Sequence, residues 1–319
     1  STHLWVRLTA LYELEKAHNS AAVSTDDDTT SSSKKEDADK GVVPCARDRL
    51  RHLRHTLITC ICSVCPEFDA MYRCPLESYL PVLLPPLLAA LEDRDPDISR
   101  QARGCAELTA NTPLLTEVLP QVLEAVRSVS SSQSWQVRSS VLPFLQVMIF
   151  RHQCSIADED MEMVRGLMVS LLQDQQVEVR EMASAAVAVL VRIVGEELAL
   201  KLKGDFCEWS RQKLPNREKA SAGDGDDFKS AVRKRHAGVL GMAALIGAYP
   251  YDVPSWMPEV LVQLAQHVID PIPIKQTVRN TFGEFWRTHQ DTWPMLKEKF
   301  TEDQLSALTN LLASPTYFS

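Results

Sequence analysis

The chain has 319 residues, with 34 lysines and arginines against 42 aspartates and glutamates, so its formal net charge at pH 7 is −8. This balance argues against a dedicated nucleic-acid-binding protein, which needs a basic surface to release counterions. No apolar run approaches the ~20 residues that span a bilayer, and the apolar stretch at 82–91 is interrupted by Pro85 and Pro86. We therefore expect neither a direct nucleic-acid partner nor a membrane-spanning segment.

The N-terminal part changes character twice. Residues 1–19 place Trp5, Leu8 and Leu11 at helical spacing, which predicts a helix. Residues 20–43 are rich in serine and aspartate and have almost nothing to bury, which is typical of a flexible, solvated loop. The chain starts without an initiator methionine or a signal-peptide pattern, so we expect a fragment of a longer protein.

Residues 44–314 show helix after helix, interrupted by a predicted surface loop at 215–228. Val137 and Arg138 recur forty-two positions later as Val179 and Arg180. A period of ~40 to 47 residues with two helices per unit is typical of HEAT and armadillo repeats. Because one such unit cannot bury its own apolar face, the units must stack. The predicted fold is all-α, a HEAT/armadillo-like α-solenoid of stacked antiparallel helix pairs.

Each predicted unit has the same parts. The first helix is apolar, and a polar turn connects it to a second helix that opens with a capping side chain, an apolar residue and an arginine. A helix rich in small residues is predicted at 232–249. Thr301 and Gln304 form a capping box for a closing helix that extends to about residue 313. Pro315 then separates a free tail at 315–319. The predicted first helices are 79–91, 114–126 and 161–172.

Residues able to carry chemistry are few. Cys60, Cys62 and Cys65 do not have the paired spacing of a structural zinc site, so we interpret them as buried thiols and predict no metal site. No nucleotide-binding loop, hydrolase elbow or metalloprotease motif occurs, and we predict no enzyme activity. A basic cluster that includes Lys229 and Arg233 is compatible with an anion site, with nuclear import or with binding of the acidic loop.

Three long irregular strings carry a family resemblance. They are 234–241 (KRHAGVLG), 249–258 (YPYDVPSWMP) and 300–305 (FTEDQL). With them, the chain resembles the C-terminal region of the large HEAT-repeat proteasome activators, the proteasome activator complex subunit four family; the likeness is strongest from about Val177 onward. The resemblance implies a non-enzymatic solenoid that caps the α-ring of the 20S core particle and promotes gate opening without ATP. It also implies a nuclear and cytoplasmic location and a link to DNA repair and to the degradation of acetylated histones.

The family ends in a hydrophobic-Tyr-any tripeptide that inserts into a pocket between α subunits of the core particle. Here the corresponding residues are Tyr317, Phe318 and Ser319. The penultimate tyrosine is thus replaced by phenylalanine, which keeps the ring and loses the hydroxyl. The resemblance therefore implies a docking tail that lacks one hydrogen bond.

Two further ligands follow from the resemblance alone. Family members are credited with an Asn-Phe pair that recognises acetyl-lysine, and the register places that pair on Val194 and Gly195, neither of which has a side-chain donor. The family also binds inositol phosphates, and no other cofactor is expected. The candidate contacts to inositol phosphate are Lys201, Lys203, Arg233 and Lys234.

An alternative function is a generic HEAT-repeat scaffold that binds protein partners along its concave face. Such an adaptor would not need a free C-terminal tripeptide. The tail therefore distinguishes the two functions.

Overall fold

The computed structural model of the chain describes residues 55–56, 59, 76–215 and 225–312. The predicted helix at 1–19, the acidic loop at 20–43 and the tail at 315–319 lie outside this part. The chain divides into two compact units, one ending at Ile156 and one beginning at Ala157. The division falls in a short non-helical link at 153–157, so the stretch predicted as one solenoid, 44–314, contains two units.

The described part of the first unit is built from four α-helices. Helices α1 and α3 pack side by side in one layer, and α2 and α4 pack side by side in a second layer. Leu87, Ile98 and Leu142 are completely buried in the core between these layers. The helices are α1 (Leu76–Ala90), α2 (Pro96–Asn111), α3 (Leu119–Ser130) and α4 (Trp135–His152).

Helix α3 begins later than the predicted start at 114. Pro120 lies in its first turn, where the missing backbone N–H of proline costs nothing, and this favours a start at Leu119. The segment before it is non-helical and is held by His152, whose Nε2 accepts a hydrogen bond from the Leu114 N–H at 3.0 Å.

The described part of the second unit continues the alternation of layers. Helices α6, α8 and α10 form one layer, while α5, α7, α9 and α12 form the other. Short 3₁₀ segments connect the last helices. The bounds are α5 (Asp158–Leu171), α6 (Val177–Val194), α7 (Glu196–Ser210), α8 (Gly225–Gly247), α9 (Met257–Ala265), α10 (Ile274–His289), α11 (Trp293–Leu296) and α12 (Glu302–Leu312).

The hydrogen bonds between helices of one layer show that these helices are parallel and in register. Arg180 bonds to His236, Ser184 to Leu240 and Arg192 to Ala248, each across 56 positions. The same separation joins Cys207 of α7 to Gln263 of α9. Equivalent helices of one layer therefore run parallel, as the predicted α-solenoid requires. The part of the chain that the structure describes contains no β-strand.

The small residues of α8 allow an unusually close approach to α7. A Cβ atom at Gly238 would lie 2.6 Å from the Phe206 carbonyl oxygen and would also strike the backbone of Ser210. A Cβ atom at Gly241 would strike the Phe206 ring, which is completely buried. The predicted small-residue helix is thus present, and two of its glycines allow it to pack closely on α7.

The predicted loop at 215–228 ends earlier than expected. Gly225–Phe228 form the first turn of α8. Asp226 and Asp227 lie in this turn, where their carboxylates are favoured by the positive end of the helix dipole. The run of aspartates that favoured a loop is therefore the acidic start of a helix.

Helix caps follow the predictions in part. The Thr301 Oγ1 accepts from the Gln304 N–H at 3.3 Å and the Gln304 Oε1 accepts from the Thr301 N–H at 2.9 Å, which confirms the capping box. Asp95 caps α2, but the residues before α4 and α6 make no side-chain cap bond. Among the described helices, none combines the length and the apolar content needed to cross a bilayer.

Candidate functional site

The predicted docking residues Tyr317, Phe318 and Ser319 lie outside the described residues, as do Cys60, Cys62 and Cys65. Helix α12 ends at Leu312, shortly before the tail. Within the described part of the chain, no group of three or more His, Cys, Asp and Glu side chains could hold a metal ion.

Val194 and Gly195 form the corner between α6 and α7. Gly195 has φ +101°, a backbone conformation that side chains with a Cβ atom rarely adopt, and its N–H donates to the Val191 carbonyl at 2.8 Å. Val194 is the last residue of α6 and is 44% exposed. The pair therefore serves to turn the chain sharply, and its exposed surface offers only backbone groups and an apolar side chain.

The four cationic residues predicted to contact inositol phosphate do not form one site. Lys201 pairs with Glu162 of α5 at 3.4 Å, and Lys203 pairs with Glu259 of α9. These lysines therefore already connect helices of their own layer. Arg233 lines a cleft of the second unit that Lys201, Lys203 and Lys234 do not line.

This cleft has a volume of about 750 Å³ and lies where α6 and α8 begin, beside the turn that precedes α10. It is called the Arg180–Arg233 cleft below. Its walls combine cationic, acidic and apolar side chains. The lining residues are Gln175, Arg180, Asp226, Asp227, Phe228, Lys229, Ser230, Val232, Arg233, Pro271 and Ile272.

Arg180 forms the floor of the cleft and is only 6% exposed. Its Nη1 donates to the carbonyl oxygens of Asp174 and Gln175 at 2.7 and 3.0 Å, which ties the start of α6 to the preceding turn. Its Nε donates to the Nδ1 of His236 at 3.1 Å. Burial lowers the pKa of the guanidinium and the positive charge of Arg233 acts in the same direction, while the negative charges of Asp174, Glu181 and Glu178 oppose this shift.

His236 holds Arg180 from α8 and is itself fully buried. Because its Nδ1 accepts from Arg180, its proton lies on Nε2, which is 2.9 Å from the Thr277 hydroxyl of α10. Burial and the neighbouring Arg180 charge lower the pKa of His236 to about 3, so the ring is neutral at physiological pH. A chain of hydrogen bonds thus joins α6, α8 and α10 and fixes the orientation of the arginine.

The apolar rim of the cleft is held by a second polar cluster. The Asp270 carboxylate accepts two hydrogen bonds from Arg235 at 2.8 and 3.0 Å and also lies 2.8 Å from the His267 Nδ1. All three side chains are largely buried. Burial lowers the pKa of His267, although its hydrogen bond to the Asp270 carboxylate opposes this shift. The cluster therefore fixes the turn that carries Pro271 and Ile272.

Among the described residues that line the cleft, some charged side chains have a partner of opposite charge and others do not. Lys229 lies 3.8 Å from Asp226 on the exposed first turn of α8. Arg233 is half-buried and, within the described residues, has no hydrogen bond or ion pair to a side chain. Arg180 likewise contacts carbonyl groups and a neutral ring rather than a carboxylate.

Sequence reasoning identified Arg180 only as the repeated arginine of a helix pair and assigned Asp226 and Asp227 to a loop. No local pattern places these residues in one cleft, since they belong to different helix pairs. The one available signal was Arg233, which the basic cluster already marked as a candidate anion contact.

Comparisons with known proteins agree with the resemblance found in the sequence. Residues 232–319 match a protein-family model described as "Proteasome activator complex subunit 4-like, C-terminal". The human proteasome activator complex subunit 4 is 40% identical over 227 residues, which cover 70% of this chain and 12% of that protein. The zebrafish subunit 4A is 37% identical over 244 residues, which cover 75% of this chain and 13% of that protein.

More distant similarity extends to yeast. The Saccharomyces cerevisiae proteasome activator BLM10 is 26% identical over 207 residues, covering 63% of this chain and 9% of that protein. Among solved structures, a chain from the crescerin TOG domain array is 15% identical with a TM-score of 0.38, covering 72% of this chain and 89% of that chain.

The chain spans about one eighth of the length of the vertebrate relatives, with 12–13% covered, and 9% of the yeast protein. The similarity therefore concerns one region of a much longer protein. This chain resembles the C-terminal region of proteasome activator complex subunit 4, and its residues 232–319 match the model of the subunit 4-like C-terminal family.

Proposed function

We propose that this chain is the docking region of an ATP-independent proteasome activator. In this proposal the solenoid and its tail bind the α-ring of the 20S core particle and promote gate opening, while peptide hydrolysis takes place in the core particle. The observation that carries the proposal is the similarity to named proteasome activators of vertebrates and yeast over 63–75% of the chain.

The tail is the proposed contact with the gate. The match to the C-terminal family model extends to Ser319 and so includes Tyr317 and Phe318. Their rings would fill apolar walls of a pocket, and a terminal carboxylate would accept hydrogen bonds from a lysine or from backbone N–H groups. Phe318 cannot make the hydrogen bond that a tyrosine makes at this position.

The family resemblance also suggests links to acetylated histones and to inositol phosphate. We do not place acetyl-lysine recognition on Val194 and Gly195, because neither side chain can donate a hydrogen bond. Lys201 and Lys203 are poor candidates for an inositol phosphate because each already pairs with a glutamate. Arg233 and Lys234 remain candidates, and we propose that the protein works in the nucleus and the cytoplasm.

The test uses the protein that carries this chain and purified 20S particles. Co-sedimentation measures binding, and hydrolysis of a fluorogenic peptide measures gate opening. We expect the intact protein to co-sediment and to stimulate hydrolysis, and we expect removal of residues 317–319 to abolish stimulation. A Phe318→Tyr variant serves as the matched control and should bind about fivefold more tightly, the effect of one added hydrogen bond of ~1 kcal/mol.

The outcomes separate the activator from the scaffold alternative. Loss of stimulation with an unchanged circular dichroism spectrum supports a docking tail. Binding to 20S particles with no dependence on the tail would leave only the solenoid surface as the contact. A lack of both co-sedimentation and stimulation would contradict the activator function.

A further inference from the structure

We propose that the Arg180–Arg233 cleft binds an acidic side chain of an extended protein segment, together with an apolar neighbour in that segment. This site lies on the second unit and does not involve the tail. It is therefore independent of the proposed contact with the proteasome gate.

Arg180 carries a buried charge that lines the cleft. A buried charge is normally compensated by a counter-charge as well as by hydrogen bonds. In the described part of the chain, Arg180 has three hydrogen bonds to neutral groups, and the charges of Asp174, Glu178 and Glu181 act on it without a direct ion pair. Since Arg180 lines the cleft, a carboxylate entering from solvent can supply a direct charged partner.

Both Arg180 and Arg233 line the cleft. His236 and two backbone carbonyls fix Arg180 before any ligand arrives, so little side-chain entropy is lost on binding. Arg233 lines the same cleft and, in the described residues, is not neutralised by an acidic partner. The two guanidinium groups therefore line the same cleft.

The acidic residues of the cleft favour a peptide over a polyphosphate as the ligand. Asp226 and Asp227 are exposed at the cleft wall and would repel a ligand with several negative charges. A single carboxylate can contact the arginines without approaching both aspartates. A protein segment also presents backbone N–H groups, and these can donate hydrogen bonds to the carboxylates of Asp226 and Asp227.

The cleft also has an apolar wall. Ile272 lines the cleft and is 79% exposed, so its side chain is accessible to a ligand. Pro271, Val232 and Phe228 lie on the same cleft surface. Because the Asp270 cluster holds the turn that carries Ile272, this apolar wall is preformed. An apolar residue next to the acidic one in the ligand would cover it, and the cleft volume lies in the range of roughly 300–1,000 Å³ typical of ligand sites.

The experiment measures binding of labelled hexapeptides to the full chain by fluorescence polarisation. One set carries a central Glu or Asp followed by Leu, Ile or Val, and a matched set carries Gln or Asn in place of the acid. We expect members of the acidic set to bind at least about fivefold more tightly than their amide counterparts, as one charge-assisted hydrogen bond provides.

Two substitutions form a matched pair. Arg233→Gln removes one positive charge from the cleft and should weaken the binding of the acidic peptides about fivefold or more. Lys234→Gln removes a positive charge from the adjacent exposed residue, which does not line the cleft, and should change the affinity less than about twofold. The double variant Asp226→Asn and Asp227→Asn should bind the acidic peptides more tightly. This gain cannot result from misfolding.

Three results would overturn the proposal. One is that no acidic hexapeptide binds with a dissociation constant below about 1 mM. Another is that the acid and amide sets bind with equal affinity. The third arises in a competition arm with inorganic pyrophosphate. If pyrophosphate binds the chain in an Arg233-dependent way more tightly than every peptide, the cleft is a phosphate site and the peptide proposal is wrong.

Discussion

Two turns, one in each unit, use the same arginine in the same way. Arg138 of α4 donates to the carbonyls of Ser132 and Gln133 at 2.8 and 3.0 Å. Arg180 of α6 donates to the carbonyls of Asp174 and Gln175 at 2.7 and 3.0 Å. The repeated motif therefore has one local task, which is to satisfy the carbonyl groups of the turn between paired helices.

The two arginines differ in how deeply they are buried. Arg138 is half-buried, whereas Arg180 is 94% shielded from solvent and bonds to His236 of α8. The difference arises because α8 packs beside α6 and brings a neutral imidazole to the guanidinium. The comparison teaches that a local repeat motif can acquire a second role when a neighbouring helix pair supplies a partner.

The largest expected effect comes from moving α8, which carries that partner. A Gly238→Ala change places a Cβ atom against the backbone of α7, and we expect a loss of about 3 kcal/mol in the free energy of unfolding. Gly247→Ala is the matched control, because no atom lies within 4 Å of the added Cβ and alanine favours the helix. Urea denaturation measures both; equal stabilities would contradict the close approach of α7 and α8.

Removing each arginine tests the comparison directly. Arg180→Ala leaves two turn carbonyls and the His236 Nδ1 without their donor, and we expect a cost of about 3 kcal/mol. Arg138→Ala should cost about 1 kcal/mol, since its site is half-buried and water can replace the lost donor. Denaturant midpoints of the two variants give the difference. If Arg138→Ala proves as costly as Arg180→Ala, the additional contact with α8 is unimportant.

The neutral state of His236 predicts a dependence on pH. Its pKa is about 3 in the folded chain and ~6.5 in the unfolded chain, so the unfolded state binds the additional proton between these values. Stability should therefore fall as the pH drops below ~6.5, with a loss of about 2 kcal/mol at pH 5 relative to pH 7.5.

The control for this prediction is His236→Asn, which cannot titrate in this range. His267 is present in both proteins, so the difference between their pH profiles isolates His236. Urea denaturation at pH 5 and 7.5 provides the measurement. Parallel profiles for the two proteins would show that His236 is not neutral in the folded state.

The smallest expected effect compares two buried serines. Ser184 of α6 donates to the Leu240 carbonyl of α8 at 2.8 Å, whereas Ser140 of α4 donates to Val137 of its own helix at 2.7 Å. We expect Ser184→Ala to cost about 1 kcal/mol and Ser140→Ala to cost less than about 0.5 kcal/mol, because alanine improves helix propensity and only Ser184 joins two helices. Thermal denaturation resolves the order, and a reversed order would count against the α6–α8 bond.

Much of the local structure follows from the sequence alone. The recurrence of Val137 and Arg138 as Val179 and Arg180 indicated helix pairs, and the pattern Thr301 to Gln304 predicted a capping box that the structure confirms. These features depend on residues close together in the chain. Helical periodicity, caps and repeat spacing are local, so a single sequence records them.

The cleft was decided only by tertiary structure. Arg180, Arg233 and Ile272 come from three different helix pairs, and nothing in their own segments indicates that they meet. Their meeting depends on the close packing that Gly238 permits and on the register that sets equivalent helices side by side. Sequence reasoning likewise assigned Asp226 and Asp227 to a loop, because acidic runs favour both solvated loops and helix starts. Packing of the following helix determines whether an acidic run becomes a loop or a helix start. That packing is made by residues far apart in the chain, so the local sequence does not record it.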